Sequence, residues 1–307
     1  MRRRSLLRLT AVSLSLVLTF CAAAWAASAA WKDSQQKEDR ARFLGSFRWT
    51  MPESWFGGLS GLEVSANGMG FVAITDRSHL VTGRFWREEG RITGIEPLRN
   101  ERLRDVGGAR MPEPREDSEG LAFGAGETYY VSFESPHFVL EYSPAGVREL
   151  VNPVAFRSFR YNSSFEALAL DAAGSLLVIS ESPARDPQVD RIWQWSGTGG
   201  WRGFGAYPEQ EDFLPVGADF GPDGRLYVLE RKFLSIGFRS RLRRFSLGPQ
   251  GLTGGEVLMT SALAQHDNLE GLSVWRGEDG QLRATMISDD NFFWVQRTEV
   301  VEYALPD

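Results

Sequence analysis

One cysteine, Cys21, and three histidines, His79, His137 and His266, are all that this 307-residue chain offers for thiol chemistry or imidazole ligation. None of the histidines stands in an H-E-x-x-H arrangement, and no glycine-rich phosphate loop or dinucleotide fingerprint occurs. The stretch "GGLSGL" has a serine but not the glycine spacing of a G-x-S-x-G nucleophile elbow. These absences remove zinc-protease, serine-elbow and nucleotide-cofactor chemistry. His79 and His137 fall three residues after Asp76 and Glu134 and read as loop or cavity-wall residues. Positive charge is also short, with 34 Lys and Arg against 40 Asp and Glu and a net charge of −6. Sequence-independent nucleic-acid binding, which rests on cationic contacts to phosphate, is therefore a poor fit. Helical periodicity is scarce beyond the first 30 residues.

The opening "MRRRSLLRLTAVSLSLVLTFCAAAWAASAA" runs from basic to apolar to alanine-rich A-x-A sites, the order of a secretory signal peptide. Its apolar part, Leu9 to Phe20, falls short of the ~20 residues that span a bilayer, although a retained anchor is the alternative. Arg3-Arg4-Ser5-Leu6-Leu7-Arg8 also resembles a twin-arginine signal. Cys21 follows bulky Phe20, which makes a poor lipoprotein site. Removal of residues 1–26, or up to residue 29, leaves no cysteine; loss of four arginines takes Lys and Arg from 34 to 30 and the net charge from −6 to −10. Residues 27–41 are a polar leader, and residues 42–307 read as a single domain in the periplasm or outside the cell.

The chain repeats itself. "GGLSGLEVSANGMGFVAITDR", "DSEGLAFGAGETYYVSFES", "SSFEALALDAAGSLLVISES", "LPVGADFGPDGRLYVLER" and "HDNLEGLSVWRGEDGQLRATMISDDNF" share one plan. A polar-Gly-Leu-like step leads into a strand, a glycine turn follows, and a β-rich run stops at an acidic residue. The leading positions Ser60, Glu119, Glu166, Gly217 and Glu270 are 59, 47, 51 and 53 residues apart. A drifting period near 50 fits four-stranded blades of an all-β propeller, antiparallel sheets closed around a central channel. Five copies predict five blades, or six if one repeat has decayed. "RFLGSFRW" at Arg42 is placed to complete the last blade and cover an edge strand. A β-sandwich would not predict so long a period. Ten tryptophans and twenty phenylalanines read as packing between blades.

In a propeller the innermost strands line the channel, so equivalent residues form rings. Glu119, Glu166 and Glu270 would converge at one mouth, where unpaired carboxylates raise one another's pKa. A bound Ca²⁺, which takes 6–8 oxygen ligands, resolves that repulsion, with amide oxygens from Asn268 and Asn162 available. Alternatively the glutamates cap loop amides. Asp76, Glu134, Glu181, Glu230 and Asp289 form a second set at the ends of the next strands; singly, each also reads as a solvated strand end. Arg77 and Arg231, each directly after one of these acids, and Arg297 could grip an anion or form salt bridges. The alternating Arg239, Arg241 and Arg243 read as a solvated outer face.

"GGLSGLEVSANGMGFVAITDRS", "DSEGLAF", "LYVLERKF", "DNLEGLSVW" and "ISDDNFFWVQRTEVVEYAL" together resemble the phytase-like (esterase-like activity of phytase) family of exported bacterial proteins, over roughly residues 42–305. The resemblance implies a β-propeller with a metal-linked phosphoesterase or esterase role. The fourth copy departs from it, with "VGADF" where others have Glu-Gly-Leu, and leaves Asp219 as a substitute acid in question.

Two functions fit. One is an exported, metal-dependent (calcium) hydrolase of phosphate or carboxylate esters: Glu119, Glu166, Glu270 and Asn268 hold the ion, Asp76 or Asp289 is the base, and Arg77, Arg231 and Arg297 bind substrate. The other is a non-catalytic envelope propeller that binds a ligand or partner. The hydrolase reading expects a monomer acting on a small anionic or ester substrate, with no nucleic-acid partner and no membrane span after processing. The export reading predicts a mature N-terminus near Ala27 or Ala30. Mass spectrometry of envelope protein checks it, and an intact Met1 would overturn it.

Overall fold

A run of short, β-branched and aromatic-rich segments separated by glycine turns has one economical solution, the antiparallel hairpin. The structure, a computed structural model, describes residues 40–307 except Pro114, Ser135 and residues 162–164. The N-terminal stretch read as a signal peptide, with Cys21, lies outside the described residues, as does Asn162. Among the described residues there are twenty strands, two short 3-10 turns and no α-helix, hence no helix long and apolar enough to cross a membrane.

The strands form five four-stranded antiparallel sheets. Blade I contains β2 (Leu59–Val64), β3 (Gly70–Thr75), β4 (His79–Glu88) and β5 (Arg91–Arg102). Blade II contains β6 (Ser118–Phe123), β7 (Tyr129–Phe133), β8 (Phe138–Ser143) and β9 (Gly146–Glu149). Blade III contains β10 (Ala167–Leu170), β11 (Leu176–Ile179), β12 (Ile192–Trp195) and β13 (Trp201–Gly203). Blade IV contains β14 (Leu214–Phe220), β15 (Leu226–Leu234), β16 (Gly237–Gly248) and β17 (Gly251–Thr260). Blade V takes β18 (Asn268–Arg276), β19 (Leu282–Asp289) and β20 (Glu299–Ala304) from the C-terminus and β1 (Arg42–Arg48) from the N-terminus. The protein is a five-bladed β-propeller.

The predicted closure is present, with β1 paired to β20 from Arg42 opposite Ala304 to Arg48 opposite Glu299. The first hairpin of each blade turns on Gly68, Gly126, Gly174, Gly224 or Gly280, at φ between 64° and 82°, the left-handed region glycine enters at little cost. The inner strands β2, β6, β10, β14 and β18 touch in cyclic order. Five apolar clusters fill the wedges, one between each pair of neighbouring blades. Phe156, for example, packs edge-on against Phe165 and Trp193 between blades II and III. The aromatic surplus is therefore spent mainly on blade contacts, as the composition suggested.

One expectation fails. Arg241 and Arg243 are buried, not solvated. Strand β16 lies beside β15, where Arg241 pairs with Glu230, a residue with no exposure at all. Glu230 accepts bonds from Arg241 Nε at 2.6 Å, Arg243 Nη1 at 3.1 Å and Tyr207 Oη at 2.7 Å. A buried charge without a partner is very costly, so this cluster stands or falls together. Glu230→Ala, which strands two buried guanidinium groups, should cost about 3–5 kcal/mol in urea unfolding. A loss below about 1 kcal/mol would show that water reaches the cluster.

Candidate functional site

The leading polar-Gly-Leu step acquires its meaning from register. Pairing between first and second strands slips at Leu59/Gly61 in blade I, Ser118/Leu121 in blade II, Pro215/Gly217 in blade IV and Leu269/Gly271 in blade V. A β-bulge re-aims a side chain, and the bulged residues include Ser60, Glu119, Val216 and Glu270. Val216, not Gly217, thus holds the leading position of blade IV, a correction of one residue. The residue after each bulge lies against a neighbouring inner strand. A Cβ on Gly61 would come within 2.9 Å of Leu121 Cβ, and one on Gly120 within 2.5 Å of Leu168 Cβ. On Gly217 it would meet Glu270 O at 2.2 Å, and on Gly271 it would meet Leu62 N at 2.9 Å.

The same register revises the second acidic set. Thr75, Glu230 and Ser288 pair with the residue just before each bulge, so Asp76, Arg231 and Asp289, one residue on, are the equivalent positions. Glu230 therefore belongs to the interior, and the ring at the mouth reads Asp76, Glu134, Glu181, Arg231, Asp289. Blade IV contributes a cation where the other four contribute carboxylates.

Arg231 organises the side of the mouth that blades III to V share. Its Nη1 donates to Asn268 Oδ1 at 2.7 Å and to Glu270 Oε1, and its Nη2 donates to Glu181 Oε1 at 2.9 Å. Glu166 Oε2 lies 3.9 Å from Nη2, and Asn268 Nδ2 steadies Glu270 at 2.8 Å. Burial alone would lower the pKa of Arg231, but Glu270, Glu166 and Glu181 hold it above the usual arginine value. Burial raises Glu166 and Glu270, which Arg231 partly offsets. A cavity of about 560 Å³ opens over this group, lined by Glu181, Arg231 and Asn268.

On the blade II side three further acids gather. Carboxylate oxygens of Asp117, Glu119 and Glu134 lie within 4.8 Å of one another. They are the counterparts in blade II of Asn268, Glu270 and Asp289 in blade V. Burial and then Glu166, Asp117 and Glu270 push Glu119 well above the usual carboxylate range; burial likewise raises Asp117. Such a set suits a hard cation, which takes carboxylate oxygens.

Asp76 is beside them. Burial, with Asp117, Glu270 and Asp290 nearby, pushes its pKa up to about 7, against the opposing pull of Arg77. Its Oδ1 is buried without a hydrogen-bond partner among the described residues. The carboxyl fits only because Gly58, at φ 61°, has no side chain: a Cβ there would lie 2.2 Å from Asp76 Oδ1. Asp289 is buried too and raised well above its ordinary value, first by burial and then by Glu270, while its Oδ1 accepts Asn291 N at 2.6 Å. Asp290 has a structural task. It accepts Gly58 N, Phe292 N and Thr298 Oγ1, each at 3.1 Å, and so pins the 290–298 loop to blade I.

The residues singled out in the sequence thus divide. Glu119 sits in the acidic cluster; Glu166, Glu270 and Asn268 surround Arg231. Asp76 and Asp289 are at the mouth. Arg77 is exposed, stacked 3.4 Å over the Phe292 ring, and has no ion pair among the described residues. Arg297 bonds Glu299 at 3.0 Å at the mouth's edge. Asp219 does not substitute for a leading glutamate; its Oδ2 accepts Val274 N at 2.6 Å between blades IV and V. Asp117 was missed, although its place two residues before Glu119 matches that of Asn268 before Glu270.

Arg231→Met removes the guanidinium that bonds the side chains of both Glu181 and Glu270 while keeping bulk. The carboxylates already raised, Glu166 and Glu270, stabilise the fold when protonated; that contribution is complete below their unfolded pKa and is lost as pH rises through the folded value. The variant should therefore lose about 3 kcal/mol or more at pH 8 and clearly less at pH 5 by urea unfolding. Equal losses at both would assign the effect to packing.

The chain is similar in structure to the pyrroloquinoline-quinone-bound aldose sugar dehydrogenase of Streptomyces coelicolor, at TM-score 0.49 and 9% identity, covering 85% of this chain and 98% of that one. A gluconolactonase of Xanthomonas campestris gives 0.44 and 14%, covering 81% and 72%, and a virginiamycin B lyase of Staphylococcus aureus gives 0.41 and 14%, covering 87% and 75%. No curated protein matches the chain. The profile of one family, phytase-like, described as the esterase-like activity of phytase, matches residues 54–292, and with most of its length so matched the chain belongs to that family.

Proposed function

We propose that the protein is an exported, calcium-dependent hydrolase of phosphate or carboxylate esters, working as a monomer at the acidic mouth of its propeller. The observation that carries this reading is the convergence of Asp117, Glu119 and Glu134 beside Asp76. Export rests on the N-terminal sequence, and the ester class on family membership. The ligand set differs from the one expected from the sequence. Glu119 remains, and Asp117 and Glu134 replace Glu166, Glu270 and Asn268, which already share the guanidinium of Arg231.

When bound, a divalent ion would supply Lewis acidity toward a substrate oxygen. The chain's own groups do the rest. Asp76, with a pKa of about 7 and one unpaired carboxylate oxygen, suits general-base duty near neutral pH. It takes a proton from the attacking water as the new oxygen bond to carbon or phosphorus forms, and returns it to the leaving alkoxide as the ester bond breaks. Arg77, at the rim without an ion pair among the described residues, meets an anionic substrate group. Asp289, buried and protonated more readily than an ordinary aspartate, can hold a hydrogen bond to the substrate.

Calcium that binds only the native state should stabilise it by about 2.7 kcal/mol at ~100 times Kd, visible as a raised melting midpoint. Glu119→Gln should abolish that shift and any ester or phosphoester hydrolysis together. With chelator present it should match or exceed the wild type in stability, because it removes a buried carboxylate among others. Wild-type melting that ignores calcium and other divalent ions, with no metal in elemental analysis, would sink the metal site and the mechanism built on it.

A further inference from the structure

The ring of acids is bordered on one side by an unusually apolar edge. The end of β15 exposes Phe233 and the turn into β16 exposes Ile236, the latter at 81%; the loop after β19 exposes Phe293 at 62% and Trp294 at 91%. Patches of this kind on otherwise polar proteins mark binding surfaces. Between the two segments lies a groove of about 620 Å³, walled by Phe233, Ile236, Phe238, Phe293 and Val295. That volume falls within the range of small-molecule sites.

Three features make this a built site. First, the loop is held at both ends: Asp290 bonds Gly58, Phe292 and Thr298, Phe293 N donates to Asp290 O at 2.7 Å, and Arg297 N donates to Asp267 Oδ2 at 3.0 Å. Second, the opposite wall is braced by the Phe233–Phe238 ring contact, with centroids 5.1 Å apart. Third, the groove shares Phe233, Phe238 and Asn291 with the cavity over Arg231, so it runs into the channel mouth. His266, which also lines it, is 3% exposed, bonds Tyr303 Oη at 2.8 Å through Nε2, and has no hydrogen-bond partner at Nδ1 among the described residues, with Glu299 Oε1 3.9 Å away. Burial keeps this ring neutral at physiological pH, so it puts no charge in the groove.

We infer that this groove binds an alkyl or aryl group of a ligand whose polar end sits at the channel mouth. Resting on the hydrolase reading, that group is the acyl or alcohol part of the ester, and the natural substrates are esters with a substantial apolar portion, not small polyanions. Charge favours the same class. Arg231 is already shared by carboxylates, and the chain carries a net charge of −6, so a densely anionic substrate would be repelled. A flat lipid surface fits less well than a small molecule, because the site is concave and acidic.

The test uses neutral 4-nitrophenyl alkyl ethers, ethyl to octyl, as uncleavable ester mimics, with binding followed by calorimetry on the full-length protein. Affinity should rise about two- to fourfold per methylene until the groove is filled. The double variant Ile236→Ser, Phe293→Ser, altered only at exposed positions, should melt near the wild type and show a flattened chain-length dependence. In parallel, hydrolysis of the matching 4-nitrophenyl esters is measured. Chain-length-dependent ether binding without hydrolysis supports the groove and overturns the hydrolase. Hydrolysis with no chain-length dependence in binding overturns the groove and leaves the hydrolase. Ethers that fail to bind while the protein cosediments with phosphatidylcholine vesicles, lost in the double variant, would make this edge a membrane-docking surface and overturn the inference.

Discussion

Five strands cannot crowd around one axis with ordinary side chains at every position. In this propeller Cβ-free residues stand at Gly61, Gly120, Gly217 and Gly271, each within contact of a neighbouring inner strand, and Ala167 is the smallest substitute at the fifth place. The bulge immediately before each glycine follows from the same crowding. An extra residue is accommodated where the ladder is interrupted, and its side chain turns out of the sheet. Close packing at the axis and the polar mouth are thus two results of one constraint. The wedge-shaped apolar clusters farther out can then use large residues, since the blades diverge there.

Turning polar residues toward one mouth concentrates negative charge, and the structure handles it in two ways. Where blades III to V meet, Arg231 is bonded to Glu181 and Glu270 and lies near Glu166. A guanidinium is well matched to this, having five donors and a charge that persists at any relevant pH. On the blade II side Asp117, Glu119 and Glu134 face one another, and burial raises the pKa of Asp117 and, with neighbouring carboxylates, that of Glu119. A native site that keeps such repulsion forgoes stability, which is the usual sign of a group retained for binding or chemistry.

How far the sequence discloses this can be judged residue by residue. The 50-residue period, the glycine turns and the closing segment Arg42–Arg48 are local or repetitive signals, and they appear in the structure as read. Register is different, because a bulge shifts every later residue by one and leaves no composition trace. Matching acid to acid placed Glu230 at the mouth. Counting from the close-packed position places Arg231 there: Gly120 to Glu134, Ala167 to Glu181 and Gly217 to Arg231 are each fourteen residues. The spacing was present, but residue type was the more tempting guide. Likewise the alternation of Arg239, Arg241 and Arg243 defines a face without saying what covers it; the buried Glu230 opposite Arg241 answers that only once the strands are paired.

The departure of blade IV then becomes intelligible as a single coordinated change. Its leading position is Val216 instead of a polar residue, its ring position is Arg231 instead of an acid, and the residue before that is Glu230 where blades I and V have Thr75 and Ser288. Arg231 needs acidic partners from other blades, so a further glutamate at Val216 would crowd a group already surrounded by Glu166, Glu181 and Glu270. Glu230 in turn pairs with both Arg241 and Arg243 within its own blade. The same strand, two residues farther on, reaches Phe233 and the apolar groove. One strand, β15, therefore sets interior charge balance, supplies the cation of the mouth and builds the wall beside it, and a blade that carries all three cannot also keep the repeat's consensus.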